Sequence, residues 1–322
     1  MLGAGVIGTL YAVKLGHAGH RVRLLARGQR LETLRRDGAW IEDVLSGVRS
    51  TTPLQIVDEA GAAGSYDLIF VVVQKTQLAA ALPLLERCQS RSVLFLLNNP
   101  GDPALLAGAI DPQRVLLGFP GAGGTIEAAC VRYALIPQQP TMLGEPSGAI
   151  TSRLRELAAM LRKAGLPCAI SRRMPDWLKT HAIFVTAVSG ALYSANCSAQ
   201  ALARDRPLLR RLVLGVREGF NALAATGVTI TPWKLGLLFR FMPTSFADEY
   251  WRRFFDSPMG DIVFARHARS AVDETAELAR ECRALLAPSG KGAPKLEILW
   301  QAIDAQASAR KATVSAASAA KH

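Results

Sequence analysis

Three glycines near the start of the chain have the spacing of a phosphate-binding loop. Gly3, Gly5 and Gly8 form the pattern G-x-G-x-x-G, with Val6 and Ile7 before the last glycine. In such loops the first glycine makes a tight turn, the second lets a pyrophosphate approach the backbone, and the third allows close helix packing. The diphosphate then rests on the N-terminus of the following helix. These five residues therefore predict a dinucleotide-binding loop.

A second feature concerns the phosphate on the cofactor's ribose. About 20 residues beyond the motif, NAD-binding proteins carry an acid for the ribose 2′-hydroxyl, whereas an arginine accommodates a 2′-phosphate. This chain has Arg27 at that point, with Arg30 close by and no acid between them. The pattern favours NADPH over NADH as the cofactor. The alternative interpretation of Arg27 is an ordinary solvated surface arginine.

The elements that must position these residues follow from the apolar pattern. Strands are predicted over residues 21–26, 68–73, 93–97, 115–118, 141–144 and 167–171. Helices are predicted between them over residues 7–16, 77–88, 103–109 and 151–164. Alternating strands and helices indicate an α/β fold of the Rossmann type, a doubly wound parallel sheet with helices on both faces.

After Pro175 the strand signals stop, and an all-helical C-terminal domain is predicted. Its amphipathic helices cover residues 177–192, 207–225, 271–286 and 295–305. We therefore predict an NADP-binding Rossmann domain over residues 1–172 and a helical substrate and catalytic domain over residues 173–305. Residues 306–322 are rich in Ala, Ser and Lys and are predicted to form a disordered tail. Since only Met1 and Leu2 precede the glycine motif, the first strand is nearly missing, and we expect the native start to lie upstream.

The composition favours a globular protein with small anionic partners. The 322 residues include 38 Lys and Arg against 26 Asp and Glu, a net charge of +12. No long basic run interleaves with aromatic residues, so no nucleic-acid partner is expected.

Apolar stretches are far shorter than the roughly 18 residues of a membrane span, and no secretory pattern opens the chain, so a cytoplasmic location without membrane contact is expected. The five cysteines form no CxxC pair, so no metal site is expected.

The same landmarks, which run from Gly3 to about Leu299, resemble those of the ketopantoate reductase (2-dehydropantoate 2-reductase) family. Lys75, just after the second predicted strand, resembles the lysine that lies near the cofactor in that family. Asn99, after the third predicted strand, is similar to the asparagine near the nicotinamide, although Pro100 stands here where the family has glycine. Lys179, within Trp177-Leu178-Lys179, resembles the catalytic lysine. Glu274, followed by Gly290 and Pro294, resembles the acid of the active-site helix.

The resemblance implies an NADPH-dependent reductase that transfers hydride to the carbonyl of a 2-oxo acid, in pantothenate biosynthesis. Lys179 would stabilise the developing alkoxide and supply its proton. Glu274 would orient the substrate or Lys179. Lys75 and Asn99 would hold the nicotinamide ribose and amide, and a small anionic carbonyl compound is the expected substrate. A homodimer is left open.

Two departures from the family concern the substrate. The family's asparagines four and eight residues after the catalytic lysine are Ile183 and Ala187 here. Thr186, about 20° from the direction of Lys179 on an ideal helix, is predicted to bind substrate in their place, together with Ser245. Two alternatives stay open: an NADPH-dependent reductase of a more apolar carbonyl compound, and a non-catalytic NADP(H)-binding protein.

Overall fold

The structure of the chain is a computed structural model, which describes residues 1–101, 103, 106 and 110–319. It divides into two compact units, Met1–Pro175 and Asp176–His322. The helix predicted over residues 103–109 falls largely outside the described residues.

The first unit is built on parallel strands that alternate with helices. Its strands are β1 Arg23–Leu25, β2 Trp40–Asp43, β3 Arg49–Thr51, β4 Gln55–Val57, β5 Gly64–Val71, β6 Cys88–Leu96, β7 Val115–Phe119, β8 Ala122–Glu127, β9 Cys130–Leu135, β10 Thr141–Gly144 and β11 Cys168–Ile170. Its helices are α1 Val6–His17, α2 Gly28–Asp37, α3 Leu78–Glu86 and α4 Ser152–Lys163. Strand β4 pairs with β1, and the remaining order is β5-β6-β7-β10-β11, parallel except between β7 and β10. The predicted α/β fold is confirmed.

The place of the first strand is taken by Met1 and Leu2 alone. Leu2 forms parallel bridges with Leu25 of β1 and with Val71 of β5. The Leu2 amide donates to Phe70 O at 2.8 Å, and the Leu2 carbonyl accepts from the Val72 amide at 2.8 Å. This short segment therefore joins β4-β1 to the rest of the sheet.

A second, mixed sheet was not predicted from the sequence. Its strands are ordered β3-β2-β9-β8, and β2 pairs in parallel with β9 while the outer pairs are antiparallel. Val131 and Tyr133 of β9 are buried in the same core as Leu10 and Tyr11 of α1. Strands β2 and β3 have only four and three residues, and β8 has a single buried residue, so these strands lack a clear apolar pattern.

The described part of the second unit is helical, as predicted. Its helices are α5 Met174–Ser194, α6 Ala199–Arg204, α7 Arg206–Ala225, α8 Trp233–Gly236, α9 Thr244–Asp256, α10 Pro258–Gly260, α11 Arg266–Ser270, α12 Val272–Leu286 and α13 Pro294–Ala319. The prediction of a disordered tail is corrected for residues 306–319, because these residues continue helix α13. Alanine, the commonest residue there, has the highest helix propensity and needs no amphipathic period to stay helical.

Small residues allow the helices of this core to approach closely. A Cβ at Gly190 of α5 would overlap the backbone of Leu299 in α13. Gly219 of α7 likewise leaves room for the Ile183 side chain of α5. All five cysteines are free, and all are buried except Cys197, which is partly exposed.

Candidate functional site

The glycine loop is packed on one side and open on the other. Gly3 has φ +112°, and a Cβ there would overlap the carbonyl of Val72 at the end of β5. A Cβ at Gly8 would overlap the Gly3 carbonyl, so neither position accepts a side chain. Gly5, in contrast, has no atom within 4 Å of its Cβ position. The backbone is therefore accessible at the position where a pyrophosphate has to approach it.

The glycine loop is followed directly by the first turn of α1. Gly5 is the N-cap of this helix and Val6 its first residue, and no acidic side chain lies in the first turn. The N–H groups of Val6, Ile7 and Gly8 have no carbonyl four residues earlier within the helix to accept them. Together with the positive end of the helix dipole they form a site suited to a phosphate.

Arg30 holds this loop from the side. Its Nε donates to Ala4 O at 3.1 Å and its Nη2 to Thr9 Oγ1 at 3.3 Å. Its Nη1 donates to the carbonyl of Ala128, in the turn between β8 and β9, at 3.1 Å. Burial is the main influence on this guanidinium and lowers the pKa of Arg30. The sequence alone placed Arg30 beside Arg27 as a second cation, and the structure shows that it braces the loop.

Arg27 follows β1 and is the N-cap of α2. Its Nε forms an ion pair with Oε1 of Glu59, which lies two residues beyond β4. Both side chains are about half exposed, at 48% and 50%. Because β1 and β4 are parallel, their carboxyl ends lie at the same edge of the sheet. The sequence analysis missed Glu59, since β4 itself was not predicted.

Lys75 and Asn99 lie beyond the carboxyl ends of the neighbouring strands β5 and β6. Lys75 Nζ donates a hydrogen bond of 2.5 Å to Asn99 Oδ1. Asn99 is buried, and Gly101 lies beside the pair, since a Cβ there would be 3.5 Å from Asn99 Oδ1. The structure thus brings together two residues that are far apart in the sequence and were both predicted to contact cofactor.

These groups fit an anionic dinucleotide. The glycine loop, Arg27, Lys75 and Asn99 follow Leu2, β1, β5 and β6, so all lie at the carboxyl edge of one parallel sheet. Ligands of open α/β sheets bind at this edge. The open backbone at Gly5, the N-cap of α1, leaves room for a pyrophosphate beside the first helical turn.

In the second unit, Lys179 lies in α5 and is partly buried. Within the described part of the chain its ammonium has no hydrogen-bond or ion-pair partner. Two residues on, His181 stacks on Trp177 with ring centroids 4.9 Å apart, and it also meets the edge of Phe184. The ring of His181 is therefore held in an aromatic stack.

Glu274 lies in the first turn of α12, where the helix dipole stabilises a carboxylate. Its side chain is buried, with 5% of the residue exposed. The neighbouring Asp273 is exposed and forms an ion pair with Arg310 at 3.8 Å. The structure thus places Glu274, the acid selected from the sequence, in the interior of the unit and Asp273 at its surface.

Thr186 requires a correction. It is fully buried, and its hydroxyl donates to Ala182 O at 2.7 Å while accepting from Trp300 Nε1 at 3.0 Å. Both hydrogen-bonding roles are therefore used inside the helical core, and we leave Thr186 out of the candidate site. The helical-wheel argument considered α5 alone and could not include α13, whose Trp300 packs against Thr186.

The two apolar residues predicted on the same face of α5 as Thr186 are also buried. Ile183 and Ala187 are fully buried in the helical core, so they form packing rather than the wall of a site. Ser245 lies exposed in the first turn of α9. The structure gives no further support to Ser245 as a substrate ligand, which stays a prediction.

Comparisons with known proteins agree with this fold. Residues 1–148 match the family described as ketopantoate reductase PanE/ApbA. The predicted resemblance to this family is confirmed over these residues. A 2-dehydropantoate 2-reductase of Halobacterium salinarum is 27% identical over 232 residues, covering 71% of this chain and 76% of that protein.

Solved structures extend the resemblance to both units. A 2-dehydropantoate 2-reductase from Geobacter metallireducens superposes with a TM-score of 0.75 at 19% identity, covering 95% of this chain and 98% of the other. A D-mandelate dehydrogenase solved with NADH and anilino(oxo)acetate also has a TM-score of 0.75, at 15% identity and with 94% and 96% coverage. The fold of these two proteins therefore extends over nearly the whole chain.

Two further findings concern the residues that the structure describes. None of the described helices is both long enough and apolar enough to cross a bilayer. Among the same residues no group of three or more His, Cys, Asp or Glu side chains could hold a metal ion.

Proposed function

We propose that this chain is an NADPH-dependent reductase of 2-oxo acids, of the 2-dehydropantoate 2-reductase type. The observation that carries the proposal is the shared edge of the sheet, where the glycine loop, Arg27 and the Lys75–Asn99 pair follow parallel strands. The named relatives are 2-dehydropantoate 2-reductases, and one structural neighbour, a D-mandelate dehydrogenase, was solved with NADH and anilino(oxo)acetate. A cytoplasmic location and a place in pantothenate biosynthesis belong to the same proposal.

Each candidate residue has a defined task in this reaction. The first-turn N–H groups after Gly5 bind the diphosphate, and Arg27 binds the 2′-phosphate. Lys75 and Asn99 orient the nicotinamide end by hydrogen bonds. When bound, NADPH supplies the hydride for the carbonyl carbon.

The proton for the carbonyl oxygen is assigned to Lys179 Nζ. An ammonium without an ion-pair partner can donate to a developing alkoxide and stabilise its charge, and positioned proton donors of this kind contribute about 10²–10⁴-fold. Glu274, a buried carboxylate in a first helical turn, is assigned the orientation of Lys179 or of the substrate. The net positive charge of the chain favours an anionic substrate.

The alternative of a more apolar carbonyl substrate rested on Ile183 and Ala187. Since both pack in the helical core, they give no reason to prefer it. A non-catalytic NADP(H)-binding protein would have no need of a buried Glu274 together with Lys179.

The test is cofactor oxidation, followed at the nicotinamide absorbance, with a panel of 2-oxo acids that includes 2-dehydropantoate. We expect turnover with NADPH and at least one 2-oxo acid, and its loss in Lys179→Ala. Binding of NADPH without turnover of any panel member, at matched protein quality, would favour the non-catalytic alternative. Failure to bind either NADPH or NADH would contradict the proposal as a whole.

A further inference from the structure

The ion pair between Arg27 and Glu59 has a consequence for cofactor choice. The two residues follow adjacent parallel strands, β1 and β4, and are 32 positions apart in the sequence. Arg27 is the residue expected to meet the ribose 2′-substituent. In the structure its guanidinium is held by the Glu59 carboxylate, with which a 2′-phosphate would compete.

The other arginines of this region are engaged elsewhere. Arg30 braces the glycine loop through Ala4 and Thr9. Arg35, further along α2, pairs with Asp58 at 3.1 Å. Neither of these side chains replaces Arg27 as the partner of a 2′-phosphate, so the state of the Arg27–Glu59 pair determines how well that phosphate is bound.

We propose that Glu59 sets the cofactor selectivity of this chain by competing with the 2′-phosphate for Arg27. The proposal rests on the proposed function, which places the ribose at Arg27. Exposed ion pairs contribute little to stability, so the pair can be exchanged for a phosphate. A phosphate binds the guanidinium fork in a bidentate manner, but the displaced carboxylate remains nearby and repels it.

Glu59 has a different effect on the binding of NADH. The 2′-hydroxyl leaves Arg27 paired, and a carboxylate near the ribose can accept its hydrogen bond, as the acid of NAD-binding proteins does. Glu59 therefore weakens NADPH binding and leaves NADH binding unchanged or improved. The preference for NADPH over NADH is therefore smaller than it would be if Arg27 had no carboxylate partner.

Dissociation constants for NADPH and NADH, measured by fluorescence titration of the protein without substrate, test this inference. Glu59→Gln should tighten NADPH binding about two- to fivefold, with NADH unchanged or weaker. The gain should shrink at high ionic strength, because salt screens an exposed charge. It should also disappear in the Arg27→Ala background.

Asp58→Asn is the matched control. It removes a neighbouring negative charge that pairs with Arg35 rather than Arg27, and its amide oxygen can still accept the Gly61 N–H that the carboxylate accepts at 2.9 Å. An equal gain in Asp58→Asn would show a general charge effect and overturn the proposal. Weaker NADPH binding in Glu59→Gln and Glu59→Ala, at unchanged melting temperature, would show instead that Glu59 positions Arg27.

Arg27→Ala separates this inference from the function on which it rests. A selective loss of NADPH binding, with no selective effect of Glu59→Gln, overturns only the role of Glu59. Equal losses for NADPH and NADH would show that Arg27 does not bind the 2′-phosphate, and both the NADPH assignment and the role of Glu59 would fall.

Discussion

Lys75 Nζ donates to Asn99 Oδ1 across the ends of two adjacent parallel strands, at 2.5 Å. The hydrogen bond orients the Asn99 amide, because the oxygen that accepts from Lys75 leaves the NH₂ group to donate elsewhere. An ammonium and an oriented amide donor are then available side by side, which suits the ribose hydroxyls and carboxamide of a nicotinamide nucleotide.

Lys75→Ala is expected to weaken NADPH binding about 10- to 100-fold, as removal of a hydrogen bond to a charged group costs about 1.5–3 kcal/mol. Asn99→Ala should have a similar effect. Because the two side chains act as a pair, the double variant should lose little more than either single one. Titration of the four proteins measures this coupling, and strictly additive losses would contradict it.

Lys179→Ala is expected to reduce kcat by about 10²–10⁴-fold while the NADPH dissociation constant stays close to wild type. The reason is that Lys179 is assigned to the proton and not to the cofactor. Lys234→Ala is the matched control, since Lys234 is a helix lysine of the same unit that lies over the Trp233 ring. Near-normal turnover in a folded Lys179→Ala protein would remove this lysine from the mechanism.

Arg30→Ala should weaken NADPH and NADH binding alike, about tenfold, because Arg30 acts through the glycine loop rather than on the 2′-phosphate. Arg30→Lys should recover only part of this, since an ammonium cannot reproduce the three directed bonds. Arg35→Ala, on the same helix, serves as control. A loss confined to NADPH would mean that Arg30 contacts the 2′-phosphate after all.

Ile183→Asn is expected to lower the free energy of unfolding by about 2–5 kcal/mol, because it places an amide in a fully buried apolar site. Ile183→Val should cost only about 0.5–1.5 kcal/mol. Urea unfolding followed by circular dichroism measures both. If Ile183→Asn were as stable as wild type and changed substrate preference, the position would line the site and our assignment of it to the core would be wrong.

Glu249 is expected to make stability depend on pH in the acid range. Hydrogen bonds from Arg252 and Arg253 lower the pKa of Glu249 from 4.5 to about 2. A lowered native pKa stabilises the fold above the unfolded-state pKa, and this contribution is lost as the pH falls towards 2. The difference in melting temperature between wild type and Glu249→Gln should therefore be largest above pH 4.5 and shrink below it. A difference independent of pH would contradict this.

The sequence allowed the residues at strand ends to be predicted, because buried strands have clear apolar patterns and their carboxyl ends meet at one edge. Arg27, Lys75 and Asn99 all follow such runs, whereas Gly3 was recognised from the spacing of the glycine motif. Glu59 follows β4, a three-residue strand with too little apolar pattern to be recognised. Its pairing with Arg27 depends on the contact between β1 and β4, which no local signal contains.

The burial of Thr186 shows a second limit of prediction from the sequence. Whether a hydroxyl on α5 faces a substrate or the core is decided by what packs on it, and here that is Trp300, which is 114 residues further along the chain. The pairing of β2 with β9 has the same character, since Trp40 is in register with Cys130. Periodicity describes one element at a time, so contacts between distant elements remain outside its reach.

The reactivity of the cysteines can report how often the core of the protein opens, because one thiol is partly exposed and four are buried. Burial raises the pKa of Cys282 to about 12, and its thiol lies in the core beside Thr186. Thiolate-directed reagents react only with the deprotonated and accessible form, so Cys197 should be alkylated first in the native protein. Modification of the four buried thiols then requires local or global unfolding, and its rate at each site measures how often that part of the core opens.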